Sequence, residues 1–177
     1  MRVPIVSPAG ALILLVDDFA DAREMYTESL TFYGYRVVSA GDAVTAIAMA
    51  VEQQPDLVLM DAALPGMSGW DATRALKADP RTRNIPLLML TGHVLTESKE
   101  RAANAGADGL IPKPCLPDEL AREIEAVLKR WPSRIAGMSV EHQRHRTREA
   151  AGETAERLAK GRAQQETRQR RATKRQE

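Results

Sequence analysis

Residues 11–18 read ALILLVDD, an apolar run closed by Asp17-Asp18. A short apolar run without alternation, bounded by turn residues, is the pattern of a strand buried on both faces. Three more runs share it. Residues 56–60 (DLVLM) lead into Asp61, residues 87–90 (LLML) into Thr91, and residues 108–111 (DGLI) into Pro112-Lys113-Pro114. Each run delivers polar chemistry at its carboxyl end. In an open α/β sheet, ligands bind outside that end of the strands. One rim would then gather an acidic pair, a lone aspartate, a hydroxyl and an ammonium.

The intervals between the runs read as helices. After Asp18, the residues Ala22, Met25, Tyr26, Ser29, Leu30 and Tyr33 fall on one helical face, and Gly34 stands where a helix C-terminus favours glycine. Residues 35–40 (YRVVSA) are β-branched and alternating, a further strand. Asp42 is placed to cap a helix whose inner face is Ala43, Ala46, Ile47, Ala50 and Val51, with Pro55 stopping it. Ser68 is placed to cap another that carries Trp70, Thr73 and Leu76 and ends at Asp79-Pro80. Residues 96–105 are helical by composition but hold no large apolar residue, and Gly106 closes them. Asp118 opens a last helix with Leu120, Ile124, Val127, Leu128 and Trp131 on one face, ended by Pro132. Strands and helices alternate throughout. With right-handed crossovers this makes an α/β, doubly wound parallel sheet with helices on both faces.

Apolar residues make up 44% of the 177, enough for a core, but they are unevenly spread. After Pro132 the large ones are only Ile135, Met138, Val140 and Leu158. Residues 1–132 carry 13 Lys and Arg against 18 Asp and Glu, whereas residues 133–177 carry 12 against 6. The net charge of +1 therefore hides an acidic body and a basic tail. The expected organisation is an N-terminal extension over residues 1–10, one domain over 11–132, and a polar basic tail over 133–177. The tail is expected to be disordered or marginally helical, because its composition cannot bury enough surface to offset ordering. His142 and His145 in it are too isolated for a metal site. Cys115 is the only cysteine, which excludes a disulfide framework and a thiolate cluster. It reads as a packed small residue. No run approaches the roughly 20 apolar residues that cross a bilayer, and the first run lacks a signal-peptide cleavage site. The expectation is a soluble, cytoplasmic body with no membrane partner.

Asp17, Asp18 and Asp61 on one rim repel one another. At about 5 Å and an effective dielectric of roughly 20, each ionised pair costs about 3 kcal/mol. Such a cluster holds a proton or recruits a cation. With only oxygen ligands on offer, Mg²⁺ is the natural choice, since it takes one or two carboxylates and keeps several waters. The plain alternative is that Asp17 and Asp18 only cap the first helix. A carboxylate such as Asp61 can attack phosphorus and form an aspartyl phosphate; the plain alternative is a turn residue. Lys113, held between two prolines, is a point charge able to pair with a carboxylate or a phosphate. Thr91 can hydrogen-bond a phosphoryl oxygen or simply cap a turn.

Asp17-Asp18, Asp61, the loop Leu64-Pro65-Gly66-Met67-Ser68-Gly69, Thr91-Gly92 and Lys113-Pro114 follow one another in this order. The set resembles the receiver domain of bacterial two-component response regulators, over residues 11–130. The resemblance implies a flavodoxin-like (βα)5 sheet in the order 2-1-3-4-5, with the crevice between strands 1 and 3. It implies that Asp61 accepts a phosphoryl group from a phosphohistidine on a sensor histidine kinase or histidine phosphotransfer protein. Asp18 and Asp61 would ligate Mg²⁺ directly, Asp17 largely through water, and the Ala63 backbone carbonyl would complete the set. Thr91 and Lys113 would contact the phosphoryl group, and the Lys113-Pro114 bond would be cis. The chain would be a stand-alone switch controlling a downstream protein that the sequence does not name. It would catalyse only its own phosphorylation and dephosphorylation, and would not be an enzyme in the usual sense.

Some positions depart from that pattern. Leu110 stands three residues before the lysine, where receivers usually carry an aromatic. Ala63 and His93, two residues after Asp61 and Thr91, occupy positions that tend to set the lifetime of the phosphoryl group. Ala63 offers no side chain to place a water, and His93 reads either as a polar gate or, the favoured reading, as simply exposed. The weakly anchored 96–105 helix is the expected output surface. Two other function classes fit less well. A Mg²⁺-dependent phosphohydrolase with an aspartate nucleophile would carry Asp-x-Asp at one strand end, whereas here Asp17-Asp18-Phe19 and Asp61 lie on different strands. A nucleic-acid-binding protein would use Arg168, Arg170, Arg171, Lys174 and Arg175 of the tail on a polyanion, without an aromatic to stack on bases.

Overall fold

A computed structural model describes residues 10–92 and 96–131. The chain alternates β1 (Leu12–Val16), α1 (Ala20–Phe32), β2 (Arg36–Ala40), α2 (Ala43–Gln53), β3 (Leu57–Asp61), α3 (Gly69–Ala78), β4 (Leu87–Thr91), α4 (Thr96–Ala105), β5 (Gly109–Pro112) and α5 (Pro117–Arg130). All strand pairs are parallel, and the order is β2-β1-β3-β4-β5, as expected. Every residue of β1, β3 and β4 is buried. That is why their sequences do not alternate: both faces are covered. The edge strands β2 and β5 are partly exposed.

The two-residue period of the strands splits the core in two. Ile13, Leu15, Leu57, Leu59, Leu88 and Leu90 face α1 and α5, where Tyr26, Leu30, Leu120 and Ile124 meet them. Leu14, Val16, Val58, Met60, Leu87 and Met89 face the other way, against Ala46, Ala50, Trp70, Leu76, Ala102 and Ala105 of α2, α3 and α4. Met25 was expected on the inner face of α1 but is 45% exposed. The buried stripe runs through Tyr26 and Leu30, and Met25 lies to one side of it.

Helix ends follow local chemistry. Asp42 Oδ1 accepts the Thr45 N–H at 2.8 Å, and Ser68 Oγ accepts the Asp71 N–H at 3.2 Å, so both expected caps are made. Beyond α2, Gln54 takes φ 48°, a conformation that usually falls to glycine. Its side-chain amide donates to the Val51 carbonyl at 3.0 Å and, beside the Gln54 backbone N–H, to the Ala50 carbonyl at 3.2 Å, tying down the last turn. α5 begins at Pro117, one residue before the expected Asp118. Proline has no N–H to lose at a first helical position, and Asp118 instead accepts from the Tyr33 hydroxyl, tying α1 to α5.

Two aspartates pin the rim opposite the crevice. Leu12 N–H donates to Asp56 Oδ2 at 2.7 Å, and Asp56 N–H returns to the Leu12 carbonyl at 2.8 Å. Leu87 and Asp108 repeat the exchange at 2.8 Å in each direction. Asp108 Oδ2 also accepts from Lys77 Nζ at 2.6 Å, and Lys77 donates to the Ile85 carbonyl at 2.9 Å. Asp108→Ala would strand a strand-end N–H and a part-buried ammonium, at an expected cost of about 3 kcal/mol. The urea midpoint should fall accordingly. Arg74→Ala, which removes an exposed pair with Asp71, should leave it unchanged.

Candidate functional site

Asp17 follows β1, Asp61 ends β3, Thr91 ends β4 and Lys113 follows β5. Because β1, β3, β4 and β5 are consecutive in the sheet, these residues share one rim. Val16 pairs with Met60, so Asp17 and Asp61 come next, side by side. Thr91 pairs with Pro112, and the Lys113 N–H donates to the Thr91 carbonyl at 2.7 Å. Carboxylate oxygens of Asp17, Asp18 and Asp61 all lie within 4.8 Å of one another. Asp17 and Asp61 are buried and Asp18 is exposed.

Lys113 Nζ bridges the two buried carboxylates, 2.5 Å from Asp17 Oδ2 and 2.7 Å from Asp61 Oδ2. The other oxygen of each is oriented by the backbone two residues on. Asp17 Oδ1 accepts the Phe19 N–H at 2.9 Å, and Asp61 Oδ1 accepts the Ala63 N–H at 3.2 Å. This local turn is one that aspartate favours. Burial pulls the Lys113 pKa down, but its hydrogen bonds to Asp17 and Asp61 and their charges outweigh it, so the pKa lies above the ordinary lysine value. Lys113 is therefore cationic across neutral pH. The Lys113-Pro114 peptide is cis, as the resemblance implied.

The structure thus brings Asp17, Asp18, Asp61 and Lys113 into one cluster, with Thr91 buried at the end of the neighbouring strand. Ala63 sits in the loop after Asp61. Leu110 is half-buried against the same apolar cluster as Trp70. Cys115 is packed in the core. His93, His142, His145 and the basic residues from Arg168 to Arg175 lie outside the described residues.

Two residues of the site were not anticipated. Arg23 Nη1 donates to the Asp17 carbonyl at 2.7 Å, holding the chain where it leaves β1. Gly69, read from the sequence as a loop residue before α3, lies against the end of β3. A Cβ there would sit 1.8 Å from the Asp61 carbonyl oxygen and 2.8 Å from its carbonyl carbon. Its N–H donates to the Ala62 carbonyl at 3.2 Å. The constraint is steric and arises where the loop folds back on the end of the preceding strand, so loop composition alone does not reveal it.

A doubly wound α/β domain with an acidic crevice bridged by one lysine defines a class built for cation and phosphoryl chemistry. The sequence matches the response regulator receiver domain over residues 13–125, and the chain belongs to that family. Phosphorylation on aspartate is general in the family. The phosphate regulon transcriptional regulatory protein PhoB of Pseudomonas aeruginosa is 38% identical over 144 residues, covering 77% of this chain and 63% of that protein. PhoB of Escherichia coli is 41% identical over 129 residues, covering 73% of this chain and 55% of that protein. The chain therefore spans roughly half to two thirds of the length of these relatives. Among solved structures, chemotaxis protein CheY4 of Vibrio cholerae aligns with a TM-score of 0.65 and 32% identity, covering 67% of this chain and 99% of that one. The receiver domain of sensor histidine kinase PA1611 from Pseudomonas aeruginosa aligns at 0.62 and 35%, covering 70% and 98%; that structure has a magnesium ion coordinated in its active-site cleft. The relatives are response regulators and not classical enzymes, which turns the reading away from a phosphohydrolase. Among the described residues, no helix is long and apolar enough to cross a membrane.

Proposed function

We propose that Asp61 is the phosphoacceptor of a two-component phosphorelay and that its phosphorylation switches the domain between two conformations. The observation that carries this is the Lys113 bridge between Asp17 and Asp61, with Asp18 completing an all-oxygen cluster within 4.8 Å. The donor set fits Mg²⁺: hard carboxylate oxygens, no nitrogen or sulfur, and one exposed member open to water. Asp18 and Asp61 would hold the ion, with Asp17 acting largely through water and the Ala63 carbonyl completing the protein's share. A bound Mg²⁺ would neutralise charge on the phosphoryl oxygens during transfer.

The chain's own residues do the rest. One Asp61 oxygen attacks phosphorus of a phosphohistidine; an O–P bond forms, the N–P bond breaks, and the imidazole leaves. Attack requires that oxygen to loosen from Lys113 or from the Ala63 N–H. Lys113 and Thr91 then meet the phosphoryl oxygens. The donor is a sensor histidine kinase or a histidine phosphotransfer protein, and the setting is the cytoplasm. The domain catalyses its own phosphorylation and dephosphorylation and passes the signal to a downstream partner. The organisation stays as the sequence suggests: extension 1–10, receiver 11–132, basic tail 133–177. The names of the PhoB relatives make gene regulation the favoured output; DNA contact by this chain's tail has only its charge in support.

Incubation with Mg²⁺ and a small acyl phosphate, followed by intact mass, tests the assignment. One phosphoryl adduct is expected, absent with chelator and absent in Asp61→Ala. An adduct that survives Asp61→Ala would sink it.

A further inference from the structure

Lys113, Pro114, Cys115 and Leu116 join β5 to α5. Cys115 is the one residue of this segment that is buried. It packs in the apolar cluster between the sheet and helices α1 and α5, and Tyr26 of α1 meets it there. The Tyr26 hydroxyl lies 3.4 Å from the Cys115 carbonyl oxygen and 3.4 Å from Cys115 Sγ. It donates to the carbonyl, which leaves the thiol free to donate to the phenol oxygen. A carbonyl contact of this length stands at the weak end of neutral hydrogen bonds. Burial first, and the Cys115 side chain next, raise the Tyr26 pKa above the ordinary tyrosine value, so the hydroxyl keeps its proton. A buried tyrosine needs such a partner, whereas phenylalanine would fill the same space without one.

The same helix is fastened to the other half of the site. Phe19, at the N-cap of α1, donates its N–H to Asp17 Oδ1, and Arg23 Nη1 donates to the Asp17 carbonyl. Lys113 and Asp17 are thus linked twice, by charge at the rim and through α1 beneath it. The rim link is the one that phosphorylation rearranges, because Lys113 must leave carboxylate oxygens to meet the phosphoryl group. The link beneath does not depend on those oxygens. We infer that Tyr26 is a positioning residue for phosphorylation: through Cys115 it fixes the backbone from which Lys113 reaches first the carboxylates and then the phosphoryl oxygens. The inference rests on Asp61 being the acceptor. Without the hydroxyl, a looser Lys113 holds Asp17 and Asp61 less firmly, so an entering cation displaces it more easily. The same looseness places the ammonium less well for the phosphoryl oxygens, so transfer slows. Mg²⁺ binding and phosphorylation therefore change in opposite directions, whereas simple damage to the core would weaken both.

The test uses the full chain carrying Tyr26→Phe, which keeps the ring and removes the hydroxyl. Calorimetric titration should show Mg²⁺ bound about two- to threefold tighter than in the parent protein, the factor that one weak neutral hydrogen bond supports. With saturating Mg²⁺ and a small acyl phosphate, timed intact mass should show adduct formation about threefold slower, for the same reason. Cys115→Ala keeps the carbonyl contact and loses the sulfur one. It should show the same pair of changes at smaller size, and it decides the matter if Tyr26→Phe melts below the assay temperature. Mg²⁺ bound no tighter, or an adduct formed no slower, would overturn the positioning role alone. No adduct on the parent protein would overturn the acceptor assignment and this role with it.

Discussion

Gly69→Ala should be the most damaging single-methyl change in the domain. The added carbon would lie 1.8 Å from the Asp61 carbonyl oxygen, and backbone, not a movable side chain, is what it meets. Asp61 and its neighbour cannot retreat cheaply. Ala62 N–H is bonded to the Leu90 carbonyl at 2.8 Å, and Asp61 pairs with Leu90 in the middle of the sheet. Overpacking of this kind costs about 3 kcal/mol, which corresponds to a fall in melting temperature of roughly 10 °C. The chemistry should suffer more than the stability. Whatever shift accommodates the methyl reorients the Asp61 carboxylate, and a misplacement of about 1 Å is enough to cost about 100-fold in rate. Thermal melts together with the rate of adduct formation from an acyl phosphate would check both. Gly92→Ala is the control for stability: it has an ordinary φ and open space where the Cβ would go, so its melt should match the parent. A Gly69→Ala protein that melts and phosphorylates normally would mean the loop relaxes at no cost.

The fold was legible because three central strands announce themselves. β1, β3 and β4 are buried on both faces, so their sequences are unbroken apolar runs, and each ends where a polar residue emerges on the rim. The caps at Asp42 and Ser68 were legible because capping is local chemistry between residues three apart. That Asp17, Asp18, Asp61 and Lys113 meet on one rim was legible for the same reason as the strands, since parallel topology fixes which ends meet. What escaped was tertiary. Lys113 could be placed on the rim, but its bridging of both buried carboxylates depends on where its stem is aimed. Gly69 acts through the absence of a side chain against a strand it does not pair with. Arg23 reaches back six residues to a carbonyl. Trp70 read as one more inner-face residue of α3, and nothing in its spacing foretells an arginine from the next helix over its ring.

Lys113→Met should weaken the protein without metal, tighten its hold on Mg²⁺, and slow its phosphorylation, all at once. Methionine keeps most of the stem volume and removes the charge. The ammonium pairs with two carboxylates that are 1% and 8% exposed as side chains, while Lys113 itself is 23% exposed. Losing one partner of a buried pair costs several kcal/mol, and solvent at Lys113 reduces this to about 2 kcal/mol. The metal-free melting temperature should drop by roughly 8 °C. A cation entering the parent protein competes with Lys113 for Asp17 Oδ2 and Asp61 Oδ2. In the variant those oxygens are vacant and mutually repelling, so Mg²⁺ should bind about tenfold tighter, and saturating metal should recover about 1.4 kcal/mol of the lost stability. Phosphorylation requires more than a cation at the carboxylates. A positioned donor to the phosphoryl oxygens contributes about 100-fold in rate, and methionine supplies none, so adduct formation should slow by about that factor despite the better metal site. Calorimetric titration with Mg²⁺ and timed intact-mass measurements separate the two roles. Tighter Mg²⁺ with an unchanged adduct rate would make Lys113 a resting-state counter-ion and nothing more, whereas weaker Mg²⁺ would rule out the competition and leave the lysine as part of the metal site's own support.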